Sequence, residues 1–143
     1  MEKSGRKPSA QFPKPKDLGP REWGTETLLF TATGKFILKR IYMRAGTFGG
    51  LQFHHKRDEG GVVISGRMIV TYEDDGLKDR KCGPGDVFFF PQGSIHQVNA
   101  ITDVVYIEAS TPFLNDRQRV EHLFGLKEIG GLPSTKPEDV VAL

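Results

Sequence analysis

The sequence predicts an all-β domain, a small barrel or sandwich with a short C-terminal helix, and three observations lead there. Glycine, at 17 of 143 residues, is the one excess in an otherwise ordinary globular composition, 37% apolar and 27% charged. The apolar runs are short and rich in β-branched and aromatic residues, and turn-forming residues punctuate them. About nine such runs follow one another, the spacing of a sandwich or barrel.

Residues 1–20 carry Pro8, Pro13, Pro15 and Pro20 among lysines and have no periodicity, which predicts a flexible, basic, Pro-rich arm. A strand or strap exchanged with a partner subunit is the alternative reading. The barrel is expected over residues 21–112. Residues 25–31 and 35–44 form its first two strands, joined by the turn Ala32-Thr33-Gly34. On the second strand Phe36, Leu38, Arg40, Tyr42 and Arg44 share one face, and Ile37, Lys39, Ile41 and Met43 the other. Both faces carry charge, so the pattern leaves the inward one open. A glycine-dense bend at 46–50 precedes a strand at 51–54, a charged turn at 55–58 and strands at 59–65 and 67–73. Asp74-Asp75-Gly76 and Gly83-Pro84-Gly85-Asp86 read as turns, followed by strands at 87–90, 95–99 and 102–110. Beyond Thr111-Pro112, residues 113–143 read as a helix over 115–124, ending at Gly125, and a loosely held tail. No internal repeat is found.

The formal net charge of +2 is unevenly placed. Residues 1–20 hold Lys3, Arg6, Lys7, Lys14 and Lys16 against Glu2 and Asp17, a net +3, and the other 123 residues carry a net −1. The basicity belongs to the arm, which argues against a nucleic-acid partner. Cys82 is the one cysteine, so no intrachain disulfide forms and a reducing compartment is expected. No apolar run approaches the roughly 20 residues of a membrane span, and no apolar leader is seen, so the expected location is cytoplasmic, without a membrane partner.

Two patterns concentrate the metal-ligating side chains: Gly46-x5-Gln52-x-His54-x4-Glu59-x6-Gly66 and Gly85-x5-Pro91-x-Gly93-x2-His96. His54, His55 and His96, three of the four histidines, lie within them; His122 is expected to be an exposed helix residue. Residues two apart on a strand face the same way, so Gln52 and His54 point together while His55 has the opposite parity. The turn at 55–58 lets Glu59 return to the same side, and the Pro91-x-Gly93 turn aims His96 from a distant strand. Gly61 and Ser65 share Glu59's direction and, being small, leave room for a ligand. Two imidazoles, a carboxylate and an amide oxygen form a mixed N/O set that suits one divalent ion of zinc, iron, manganese, nickel or cobalt. An octahedral ion keeps two positions open on such a set, as catalysis requires.

These residues resemble the two motifs of the cupin superfamily, G-x5-H-x-H-x3,4-E-x6-G and G-x5-P-x-G-x2-H-x3-N. Residues 46–66 follow the first with Gln52 in place of its first histidine, and residues 85–100 follow the second with Ala100 in place of asparagine. The glutamine resembles the cupins related to mannose-6-phosphate isomerase, whose motif reads S-L-Q-x-H-H-H-R-x-E. Here Gly50-Leu51-Gln52-Phe53-His54-His55-Lys56-Arg57-Asp58-Glu59 stands close to it. Further similarity lies in Trp23-Gly24-Thr25-Glu26 and in the run from Val105 to Pro112, and the resemblance covers roughly residues 23–125. It implies a single cupin barrel (a double-stranded β-helix or jelly roll), Gln52, His54, Glu59 and His96 as metal ligands, and a homodimer.

The leading expectation is an enzyme acting on a sugar, sugar phosphate or similar small polar metabolite, most simply an aldose–ketose isomerase. A bound metal polarises a carbonyl and its neighbouring hydroxyl, and a base moves a proton between adjacent carbons. His55, Tyr106 and Glu108 are the candidate catalytic residues. Lys39, Arg40, Arg44 and Arg57 are candidates to hold a substrate phosphate or carboxylate, because charged groups on barrel strands need partners. A non-haem iron(II) dioxygenase built on two histidines and a carboxylate is one alternative, and a non-catalytic small-molecule binder another.

Overall fold

A computed structural model describes Gly5 and residues 7–143. The described residues form β1 (Lys16–Arg21), β2 (Gly24–Ala32), β3 (Phe36–Met43), β4 (Gln52–Phe53), β5 (Glu59–Ser65), β6 (Met68–Glu73) and β7 (Leu77–Cys82). They continue as β8 (Val87–Phe90), β9 (His96–Ala100), β10 (Val104–Ser110), β11 (Phe113–Leu114), β12 (Gln118–Arg119) and β13 (Val141–Ala142). Six strands pair in the order β1-β2-β3-β10-β5-β8 and five in the order β12-β4-β9-β6-β7, with β11 and β13 as a separate pair. Every ladder is antiparallel, and chain-distant strands lie side by side, β10 between β3 and β5, as in a jelly roll. The core is built from both large sheets, with Ile41, Val63 and Tyr106 from one meeting Met68, Val70 and Ala100 from the other.

The structure decides the orientation of β3. Ile37, Lys39, Ile41 and Met43 are buried, and Phe36, Leu38, Arg40 and Tyr42 face out. Lys39 can face inward because Glu26 on β2 meets its ammonium at 2.7 Å, and Arg21 on β1 meets the same carboxylate at 3.2 Å. Burial opposes ionisation of Glu26, but the Lys39 and Arg21 charges outweigh it and hold the carboxyl below its usual range.

Three expectations are corrected, and one strand appears where none was assigned. The arm expected over residues 1–20, part of which lies outside the described residues, gives way at Lys16, where β1 begins to pair with β2. Leu77–Cys82, with no apolar alternation, forms β7, whose five exposed residues lie at a sheet edge that their charges protect from further pairing. No α-helix spans 115–124. Asn115 takes a positive φ of 47°, Gln118–Arg119 pairs with β4, and only Glu121–Phe124 coils, as a single 3-10 turn carrying the exposed His122. The tail is docked, since Val141–Ala142 pairs with Phe113–Leu114 and Leu143 donates its amide to the Pro112 carbonyl.

Gly61 is small for a reason other than ligand space. A Cβ there would lie 2.0 Å from the Ile107 carbonyl oxygen and 2.9 Å from the Phe88 ring, so its absence lets β5 close on β10. Gly61→Ala should lower stability by ~2–4 kcal/mol through overpacking of this ladder, measured by denaturant unfolding against wild type.

Candidate metal centre

The two sequence motifs are docked on one another through their turns. Gly93 donates its amide to the His54 carbonyl at 3.1 Å, Gln92 its amide to Asp58 at 2.7 Å, and the Gln92 side chain donates to the His55 carbonyl at 2.6 Å. His96 then opens β9 directly opposite Gln52 on β4. His54, Glu59 and His96 are all buried, and one ligand atom from each lies within 4.8 Å of the others. His54 Nε2 is 2.5 Å from Glu59 Oε1, so both aim at one point. The His96 ring, 5.0 Å from His54 between centroids, stacks on Phe90 at 3.9 Å.

The tautomers of both histidines follow from their carbonyl partners, which can only accept. His54 Nδ1 donates to the Asp116 carbonyl and His96 Nδ1 to the Ser94 carbonyl, the latter at 3.0 Å. Nδ1 of each ring is thus committed to a carbonyl, and Nε2 is the nitrogen left to bind a metal, the arrangement found around metal-bound imidazoles. Burial pushes the His96 pKa down to about 4, against the attraction of Glu59, so its imidazole is neutral near pH 7. Burial also opposes ionisation of Glu59, but Arg57 and His54 outweigh it and hold that carboxyl well below its ordinary value. Two imidazoles and one carboxylate converging in a buried site fit a divalent transition ion.

A family profile described as Cupin domain matches residues 40–112, a span holding both motifs and all three converging side chains. The chain belongs to the cupin family. Among solved structures, the cupin resembles the capsular polysaccharide assembling protein CapF from Staphylococcus aureus, with a TM-score of 0.60 at 17% identity over 87% of this chain and 31% of that one. KdgF from Halomonas sp. gives 0.55 at 21% identity, covering 69% of this cupin and 83% of that chain. Oxalate oxidase in complex with the substrate analogue glycolate gives 0.50 at 19% identity, covering 54% and 42%. At these identities the likeness is one of fold, and the chain spans about a third of CapF. No curated protein matches this cupin.

Two of the converging side chains, Glu59 and His96, border a cavity of about 240 Å³ between the large sheets. Of the residues singled out by sequence, Gln52, Tyr106 and Glu108 line it together with Glu59 and His96. Lys39 is buried behind it on Glu26, and Arg57 pairs with Glu59 at 3.0 Å while its Nη2 lies 3.2 Å from His54 Nε2. His55 packs edge-on against Phe53, outside the cavity, and its Nε2 is buried without a partner. Arg40 and Arg44 are also away from the cavity: Arg40 is on the outer face of the sheet, and Arg44 is exposed and donates to the Glu22 carbonyl. Strand parity explains Arg40, which is one residue from the inward Lys39.

Sequence reasoning missed four residues around this centre. Glu26 and Arg117 line the cavity, and Asp116 and Arg119 shape it from behind. The fully buried Asp116 carboxylate accepts the amides of His55, Lys56 and Arg57 at 2.9, 2.7 and 3.0 Å. Its desolvation would raise the carboxyl pKa, and the three donors overcome that and lower it. Arg119 meets Glu121 at 2.6 Å and donates to the carbonyls of Ile129 and Gly130, bringing Gly131 and Leu132 against the cavity mouth. Parity with Gly24 would have placed Glu26 inside; no local pattern marks the others.

Replacing Glu59 or His96 by Ala should abolish retention of transition metal, read by elemental analysis of protein purified without chelators. Asp116→Ala leaves three turn amides unpaired, so an unfolding free energy lower by about 3 kcal/mol or more is expected. A metal affinity weakened ~10–100-fold, measured by titration against a chelator, should accompany it.

Proposed function

We propose that this cupin is a metal-dependent enzyme acting on a small polar metabolite, of the isomerase type and with a sugar or sugar phosphate as substrate. The observation that carries the proposal is the placement of a second, buried carboxyl of raised pKa beside the ligand set. Glu108, fully buried on β10, has its pKa pushed well above the ordinary value by burial and by the Glu59 charge, and it hydrogen-bonds Glu59. Beside it the Tyr106 hydroxyl is raised as well, first by burial and then by Glu108 and Glu59. Two groups whose protons are held more tightly than usual thus stand on one wall, against a ligand set that draws on Glu59 and the neutral His96.

Bound to His54, Glu59 and His96, with Gln52 as the fourth donor, a divalent ion supplies Lewis acidity toward a carbonyl and its neighbouring hydroxyl. The residues of the chain supply the rest. In its ionised form Glu108 Oε takes the proton from one carbon and returns it to the adjacent one, its raised pKa making it the stronger base, and the Tyr106 hydroxyl hydrogen-bonds the substrate oxygen. Arg117 is at the cavity rim, its Nη1 donating to the Pro133 carbonyl at 3.0 Å, and it takes part in none of the ion pairs among the described residues. Its remaining N–H groups suit a phosphate or carboxylate at the far end of the substrate. The cavity, just below the ~300 Å³ at which pockets for drug-sized ligands begin, suits a small metabolite.

The two-histidine, one-carboxylate set also supports a second reading, an iron(II) oxygenase. Metal analysis followed by a screen of aldose and ketose phosphates separates the two. Zinc or manganese with interconversion of the sugars supports the isomerase, and iron with oxygen uptake supports the oxygenase. Saturable binding with no turnover would leave a binding protein. Glu108→Gln should keep metal content while lowering turnover by ~100-fold or more; an unchanged rate would remove Glu108 from the proton transfer.

A further inference from the structure

The two large sheets leave the barrel open along one seam. β7 is the edge of one sheet and β8 the edge of the other, and no ladder joins them among the described residues. A second cavity, of about 360 Å³, lies in this seam and is larger than the one at the metal centre. The two cavities share no lining residue. Protein interiors are close-packed, with few voids larger than a water molecule. A volume above ~300 Å³, lined by aromatic and aliphatic side chains with a few polar groups, is the ordinary form of a small-molecule site.

The lining defines what fits. Val70 and Tyr72 on β6 and Cys82 on β7 form one side, and Phe88 and Phe90 on β8 the other. The two phenylalanine rings are 5.2 Å apart and inclined by 32°, a wall suited to a flat aromatic partner. A cavity of about 150 Å³ holds benzene, so this one takes a molecule of two fused rings. Two polar groups interrupt the apolar lining, and neither has a charged or hydrogen-bonding counterpart. Ser94 Oγ is buried and hydrogen-bonds nothing. Arg80 shares the inward parity of Cys82, is exposed at the rim, and takes part in none of the ion pairs among the described residues. Glu73, the one acid of the lining, accepts the Gly76 amide at 3.0 Å in the adjoining hairpin turn. An unpaired guanidinium at a solvent-facing rim selects an anionic group, which keeps part of its hydration there while the rings are buried.

We propose that this seam is a second ligand site, which binds a small two-ring aromatic molecule carrying one anionic group, its rings against Phe88 and Phe90 and its charge on Arg80. The inference does not rest on the proposed chemistry. Phe90 stacks on His96 at 3.9 Å and Phe88 meets Tyr106 edge-on at 5.4 Å, so the ligand lies one ring away from the metal centre without entering it. Titration of the full chain with 1-naphthoate, followed by proton–nitrogen NMR, should give saturable binding with a Kd below ~1 mM. Its shifts should concentrate at Tyr72, Cys82, Phe88 and Ser94. The same shifts should appear in protein stripped of metal with a chelator, which separates this site from capture of the carboxylate by a bound ion. Arg80→Gln, at an exposed position, should weaken 1-naphthoate by about fivefold or more and leave the neutral 1-naphthamide unchanged. Absence of saturable binding, shifts confined to the metal-site cavity, or an Arg80→Gln variant that holds 1-naphthoate as tightly as wild type overturns the proposal.

Discussion

The site depends on one buried carboxylate outside both motifs. Asp116 gathers the three amides of the turn between His54 and Glu59, and its own carbonyl accepts the Nδ1 proton of His54. The chain thereby reverses in the few residues that return Glu59 to the side of His54, and the imidazole is fixed in the tautomer that leaves Nε2 free. Without those acceptors the half-buried turn would leave its amides short of partners, each unpaired donor costing up to about 1–3 kcal/mol. The ligand set is the visible outcome, and Asp116 is what makes the turn energetically tolerable.

The legible part of this protein was the part encoded locally. Gln52 and Glu59 reach the cavity, and His54 and His96 join Glu59, because alternation along a strand and turns of fixed length act over a few residues. The partners that tune those residues are remote: Asp116 is about 60 positions from the turn it holds, and Lys39 is 13 from Glu26. Side chains that meet only after two sheets fold together leave no spacing to read. The same limit explains β7, whose Lys-Asp-Arg-Lys run looks like a loop until an edge strand needs charge. It also explains 115–124, where the periodicity of Val120 and Phe124 suggests a helix but Arg119 and Glu121 are drawn inward as an ion pair.

Charge inside the barrel is otherwise costly, and here it is arranged in compensating sets. Glu26 is shared by Arg21 and Lys39, and Glu59 by Arg57 and His54, while burial and the Glu59 charge raise the pKa of Glu108 and so favour its uncharged form. Apolar residues of similar volume would stabilise the fold as well or better. The presence of these charges on the inner face therefore points to a functional site.

Arg119 binds the backbone that follows the barrel, and through it Gly131 and Leu132 become part of the cavity wall. The enclosure is thus divided between two independently variable stretches of chain. The motif strands carry the donors, and the segment beyond them carries the contour of the entrance. Insertions or exchanges after Phe124 can reshape what enters without disturbing a single ligand, a division of labour that lets one reactive centre be refitted to new molecules.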